Sequence, residues 1–224
     1  MFLRLFVCYF YLLFIYHYLA FKNDALRKAI KEENLEKLVD LLKEGIDPNK
    51  RDRMGTTPLC EACFKPNLKI IKTLLEHGSN PAKKNLDGET TLHLAVINGT
   101  TEIIKELMKY RADVYAQNKD GNTALHLAAY GNNPEIIKIL IENGANVNNQ
   151  NLDGNTALHL AVINSKTEII KELMKHGADL NQKNNVNQTV FDLISINPNP
   201  NNEIQNLVNN NIMNLGNLTL EFIF

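Results

Sequence analysis

The eight residues GNTALHLA stand at 121–128 and again, unchanged, at 154–161. The interval is 33 residues, and many other columns keep it. Stepping by 33 from Gly88 reaches Gly55, Gly121, Gly154 and then Asn187. From Leu74 it reaches Leu41, Leu107, Leu140 and Leu173; from Ala62 it reaches Ala29, Ala95, Ala128 and Ala161. The column through Gly45, Gly78, Gly144 and Gly177 holds except at Arg111. Independent columns with one period mean that the chain builds one supersecondary unit several times. Such a unit cannot stand alone. Ordering each residue costs ~1–2 kcal/mol of backbone entropy, whereas burial returns only ~25 cal/mol per Å² of apolar surface. Stacked copies cover one another, so their interior becomes continuous.

A second period is superimposed. NLDGETTLHLAVINGTTEIIKELMK at 85–109 matches NLDGNTALHLAVINSKTEIIKELMK at 151–175, a spacing of 66 or two units. A two-unit duplication explains it.

Residues 118–151 show what one unit contains. NKDGNT is a turn, because Asp-Gly admits positive φ at little cost. Thr123 suits an N-cap, since its hydroxyl can accept from an orphan backbone N–H. ALHLAAY then reads as a helix of about two turns. NNP ends it, and Pro134 suits the first turn of the next helix. In EIIKILIENG, Ile136, Ile137, Leu140 and Ile141 share one face, and Gly144 falls at the C′ position. A short extended link leads to the next turn.

These residues resemble the ankyrin repeat. The motif runs GTTPLCEA at 55–62, GETTLHLA at 88–95 and GNTALHLA at 121–128 and 154–161. The second helices end HGSN, YRAD, NGAN and HGAD. The resemblance implies an all-α solenoid of stacked helix-turn-helix units with β-turn or hairpin loops. It divides the chain into a hydrophobic leader at 1–21, expected as a separate helix, and a degenerate N-terminal capping repeat at 22–51. Four full repeats follow at about 52–84, 85–117, 118–150 and 151–183, then a degenerate C-terminal cap at 184–211 and an apolar tail at 212–224.

Departures from the motif mark local differences. Its proline is kept at Pro58 and replaced by Thr91, Ala124 and Ala157; its histidine becomes Cys60 in the first full repeat. The glycine between the helices is Gly99, but the same column holds Pro66, Asn132 and Ser165. Proline cannot adopt the left-handed conformation, so the first repeat is expected to turn differently. Arg111 in the C′ column is expected to cost its helix end ~1 kcal/mol.

The leader, MFLRLFVCYFYLLFIYHYLAF, holds nine of the sixteen Phe and Tyr residues. Its apolar run just reaches the about 17–20 residues that a bilayer core requires. Tyr18 stands where a signal-peptide cleavage site wants a small residue, so an uncleaved anchor fits better than a secreted product. Lys22, Arg27, Lys28 and Lys31 after the run place the body on the cytosolic side. A cleaved signal peptide with a secreted body, and a leader foreign to the folded protein, remain as alternatives.

The net charge of −1 gives no general attraction to nucleic acid. Three cysteines, Cys8, Cys60 and Cys63, make no disulfide framework, which favours a reducing compartment. His93, His126 and His159 repeat with the period, but stacked helices lie about 8–10 Å apart and a zinc–nitrogen bond is about 2.0–2.1 Å. Bracing of the turns is the expected role of these imidazoles. Cys60 and Cys63 imitate a metal-binding pair, yet they fall in core columns of a short helix and read as small buried thiols. The Glu and Lys residues of EIIKELMK read as a solvated outer face with i,i+3 pairs. No phosphate loop, zincin or nucleophile-elbow motif is present. No cofactor, metal, small-molecule substrate or catalytic residue is expected. Asn98, Asn187 and Asn217 begin N-x-T triplets that would carry sugar if the body were lumenal.

The resemblance implies a protein-binding face made of turn tips and first helices. By column it points to Arg53, Met54, Leu86, Asp87, Lys119, Asp120, Leu152 and Asp153 in the turns, and to Glu89, Asn122 and Asn155 just after the glycine. On the first helices it adds Phe64, Ile97, Tyr130 and Ile163. The expected function is a non-enzymatic adaptor, tethered to a membrane if the leader is an anchor. The alternative is a regulatory subunit that delivers a target protein to a separate enzyme.

Overall fold

The structure is a computed structural model that describes residues 22–98, 100–196 and 203–208. The leader at 1–21, Gly99, and the apolar tail at 212–224 lie outside those residues, and with them the expected separate hydrophobic helix. Among the described residues no helix is long and apolar enough to cross a membrane.

Among the described residues every regular element is a helix. They come in pairs: α1 (22–31) with α2 (Leu35–Lys43), α3 (Pro58–Ala62) with α4 (Leu68–Glu76), and α5 (Thr91–Ile97) with α6 (Thr101–Lys109). Then follow α7 (Ala124–Ala128) with α8 (Pro134–Glu142), α9 (Ala157–Ile163) with α10 (Thr167–Lys175), and α11 (Val190–Ile196) with α12 (203–208). The chain divides into two compact units, residues 1–112 and 113–224. Within the first unit α4 packs against both α2 and α6, and α3 against α5. Within the second, α8 packs on α10, α7 on α9, and α9 on α11.

The period is written in the core. Leu59, Leu92, Leu125 and Leu158 occupy one column of the first helices, and all are buried. Ile71, Ile104, Ile137 and Ile170 form a second column, and Leu74, Leu107, Leu140 and Leu173 a third, on the second helices. Ala62, Ala95, Ala128 and Ala161 form a further buried column on the first helices. The N-terminal cap keeps the register with Leu26, Ala29, Leu38 and Leu41. The C-terminal cap keeps it on α11 through Ile194, but on α12 burial falls to Ile204 and Val208, one residue later than the period from Ile170 predicts and two later than that from Leu173.

Side chains close the helix starts. Asn34 Oδ1 accepts from the backbone N–H of Lys37, Asn67 Oδ1 from those of Lys69 and Ile70, and Asn133 Oδ1 from that of Glu135. The ends show the two-unit period. α9 runs seven residues and closes through Ser165 at φ 53°, with the N–H of Lys166 donating to the Ala161 carbonyl at 2.9 Å. That is the left-handed helix stop usually given to glycine. α3 and α7 run five residues, and neither Pro66 nor Asn132 has positive φ. There the chain winds out through tighter bonds: Phe64 to Glu61, Tyr130 to Leu127 and Gly131 to Ala128, each from N–H to carbonyl. The sequence expectation of a different turn at Pro66 therefore holds, and it extends to Asn132. Arg111 takes φ 57° in its glycine column.

The outer helices correct one expectation. Lys109 pairs with Glu106 at 2.9 Å and Lys171 with Glu168 at 2.8 Å, the anticipated i,i+3 pairs. Glu106, however, is buried, and Lys72 of the preceding repeat lies 3.8 Å from it. This carboxylate sits in the seam between repeats, where a charge must be paired. At the other edge of the first unit, the Arg27 guanidinium reaches Glu61 at 2.6 Å and the carbonyls of Thr56 and Lys50 at 2.7 and 3.0 Å. This fixes the cap helix to the first full repeat.

Candidate protein-binding face

Each turn is organised by one side chain four residues upstream of the motif's polar position. Asn151 Oδ1 accepts from the backbone N–H groups of Asp153 at 3.1 Å and Asn155 at 2.9 Å. Asp52, Asn85, Asn118 and Asn184 do the same in their own turns. A short carboxamide or carboxylate bonding two residues on is the Asx-turn device. It holds the two tip residues outward. These Asx residues escaped the sequence reading, although they recur at intervals of 33 and could have been found by that signal.

Tips within a unit are joined by backbone bonds. The Leu86 N–H donates to the Met54 carbonyl at 3.1 Å in the first unit. In the second, Leu152 donates to Asp120 and Asn185 to Asp153, each at 3.0 Å. The approach demands glycine beneath the tip: Gly121 has φ 73°, and a Cβ there would lie 2.7 Å from the Leu152 nitrogen.

Arg53, Met54, Leu86 and Asp87 are exposed at the tips of the first unit, as are Lys119, Asp120, Leu152 and Asp153 in the second. Phe64 and Ile97 on the first helices are 61% and 58% exposed; Tyr130 and Ile163 in the second unit are 47% and 51%. These large apolar side chains face solvent while their helix neighbours fill the core. Asn122 and Asn155 stand differently. Asn122 is buried, and its Oδ1 accepts from Asn151 Nδ2 at 2.9 Å; Asn155 is half-buried, and its Oδ1 accepts from Asn184 Nδ2 at 3.1 Å. Both positions were expected on the binding face by column; their amides form a ladder that ties one turn to the next. Glu89 is half-buried and accepts from Asn85 Nδ2 at 3.0 Å.

In the first unit the tips and helices enclose a groove of about 420 Å³. Met54, Phe64, Leu94 and Ile97 are its apolar lining, and Asn85, Asp87, Glu89 and Asn98 bring polar groups to it. Asn98 is held in place there: its Nδ2 donates to the Cys63 carbonyl at 2.7 Å and the Leu94 carbonyl at 2.9 Å.

The repeated histidines brace the turns. In each of three repeats Nδ1 lies 2.8 Å from the hydroxyl of Thr90, Thr123 or Thr156 and accepts that residue's backbone N–H at 3.1–3.2 Å. In the second unit the other ring nitrogen reaches the next turn: His126 Nε2 to the Asn155 carbonyl at 3.0 Å, His159 Nε2 to the Gln188 carbonyl at 3.2 Å. Nδ1 accepting and Nε2 donating define the neutral ring. Burial pushes the His159 ring below the ordinary histidine value, partly offset by the carbonyls of Gln188 and Gln182. Cys60 and Cys63 are free, buried thiols. Cys60 Sγ lies 3.3 Å from the Thr91 hydroxyl, and burial pushes the Cys63 thiol far up. A thiol held protonated is a poor nucleophile.

Residues 26–118 and 92–184 match the model of a family described as ankyrin repeats in three copies, so the matches together run over more than half of the 224 residues. A search of the curated proteins returned no match. Ankyrin repeats generally mediate protein–protein interaction and are typically non-enzymatic. On the strength of that match, this chain belongs to the ankyrin repeat family.

Proposed function

We propose that this chain is a non-enzymatic adaptor that holds a partner protein against its turn tips and first helices. The observation that carries the reading is the exposure of Phe64 and Ile97, both more than half open to solvent and both lining one groove. Large apolar side chains on a rigid scaffold are the usual anchors of a protein interface, and a rigid array loses little entropy when it binds. Met54, Leu86 and Asp87 extend this surface at the tips, with Arg53 beside them. In the second unit Tyr130, Ile163 and Leu152 offer a comparable apolar surface, bordered by Lys119, Asp120 and Asp153. Glu89, Asn122 and Asn155 serve this surface chiefly by shaping the turns.

The test is capture by the full chain, followed by identification of what is captured. The variants Ile97→Asp and Tyr130→Asp, each placing a charge on an exposed position, are expected to lower capture at least about tenfold, in line with loss of an interface anchor. Their helical circular dichroism should be unchanged. Undiminished capture in both would sink the assignment of this surface. A catalytic protein among the captured partners would recast the chain as a targeting subunit.

A further inference from the structure

The apolar groove of the first unit has an uneven chemistry. Its lining includes two carboxylates, Asp87 and Glu89, and no cation. Glu89 accepts from the neutral amide of Asn85 at 3.0 Å, so this anchor leaves the negative charge in place. Asp87 is exposed beside it. The nearby Glu61 does not add to this field, because Arg27 at 2.6 Å and Lys31 at 3.1 Å neutralise it. Arg53 stands at the preceding tip and is not part of the lining. The positions equivalent to Glu89 in the later repeats are Asn122 and Asn155, which are neutral. The paired carboxylates are therefore a property of this groove and not of the repeat.

We infer that the groove formed by Met54, Phe64, Leu94 and Ile97 takes a partner segment in which a large apolar side chain lies close to a lysine or arginine. This rests on the binding surface proposed above and names the chemistry of what that surface holds. The apolar side chain packs against Phe64 and Ile97. The cation reaches Asp87 and Glu89, where low-dielectric walls strengthen the attraction beyond that of an open surface. A cation on the partner also removes the repulsion that an acidic segment would meet.

The experiment uses the full chain on a surface and a set of twelve-residue fluorescent peptides. Each peptide carries one Phe in a Gly/Ser background, followed at one to four positions by Lys, Gln or Glu. At one of these spacings the Lys peptide should be retained about three- to tenfold more than its Glu counterpart, the range given by one or two partly exposed ion pairs. The ratio should shrink in 0.5 M salt. The double variant Asp87→Asn, Glu89→Gln should abolish the Lys preference while retaining the Phe-dependent signal. Phe64→Ser with Ile97→Ser should remove the signal for every peptide. Retention dependent on Phe64 and Ile97 but equal for Lys, Gln and Glu overturns the charge inference and leaves the binding surface standing. Retention indifferent to Phe64 and Ile97 overturns both. Two peptides of the chain's own sequence complete the set, residues 1–12 and 213–224. Stronger retention of either than of every Phe-Lys peptide overturns the assignment to a separate partner.

Discussion

His126 Nε2 lies 3.0 Å from the backbone carbonyl of Asn155, which belongs to the next repeat. The same ring receives Thr123 through Nδ1. One neutral imidazole thus joins the start of its own helix to the neighbouring turn. Replacing it removes two kinds of bond at once and takes the acceptor from the buried Thr123 N–H, while the Asn155 carbonyl keeps the Asn151 N–H at 3.0 Å. His126→Ala is expected to cost about 2–4 kcal/mol, from cavity formation and the unsatisfied donor together. Urea denaturation at pH 7.5 measures it. A loss below about 0.5 kcal/mol would show that the bridge contributes nothing.

The protonation state matters as well. The His159 ring is depressed below its ordinary value, with burial as the main cause. As pH falls, the unfolded chain therefore takes up the proton before the folded one. The His159 contribution is complete above the unfolded value, about 6.5, and is lost progressively as pH drops below it. The urea midpoint should fall between pH 7.5 and 5, and the fall should be smaller in His159→Gln. Equal pH dependence in the two proteins would remove His159 as its source.

The turn glycines separate two causes of destabilisation. Gly45 and Gly121 both have positive φ, but a Cβ at Gly45 meets nothing within 4 Å, whereas at Gly121 it meets the Leu152 backbone at 2.7 Å. Gly45→Ala should cost the conformational penalty alone, about 1–2 kcal/mol. Gly121→Ala should cost clearly more, because backbone must move. Conversely, Arg111→Gly relieves a left-handed residue at φ 57° and should gain about 0.5–1 kcal/mol. Thermal unfolding of the three variants gives the order directly.

The columns of Leu74 and Ile71 were legible in the sequence because burial repeats with the same step as the letters. The helix pairing and the roles of His126 and His159 were legible for the same reason. Asn122 was placed on the binding face by its column, but that column does not reveal that its amide meets Asn151. Periodicity assigns a residue to a place in the turn and says nothing of its rotamer. Glu106 was read as solvated because its octapeptide EIIKELMK is charged; it is buried, with Lys72 of another repeat 3.8 Å away. Phe64, Ile97, Asp87 and Glu89 were placed on one face by their columns, but that they line a single groove depends on how Phe64 and Ile97, 33 residues apart, are brought together with one turn. That juxtaposition is tertiary and leaves no local trace.

The buried thiols supply a test of the core. Cys60 and Cys63 sit in closed columns, and the Cys63 thiol is held strongly protonated by burial. In a Cys8→Ser background neither should react with a thiol reagent at pH 8 until urea unfolds the first unit, and labelling should then track the loss of helix. Labelling within seconds in the native protein would contradict the packing of α3.

The most direct measurement is of the stack itself, whose claim is that each repeat completes the interior of its neighbours. Deleting residues 85–150 removes two whole periods and keeps every remaining column in register. The shortened chain should still be helical, with a lower urea midpoint and a smaller denaturant slope, since less surface is exposed on unfolding. A deletion of 85–134, which breaks the register, should fare far worse. An undiminished midpoint after removal of two periods, or equal stability of the in-register and out-of-register deletions, would contradict the account.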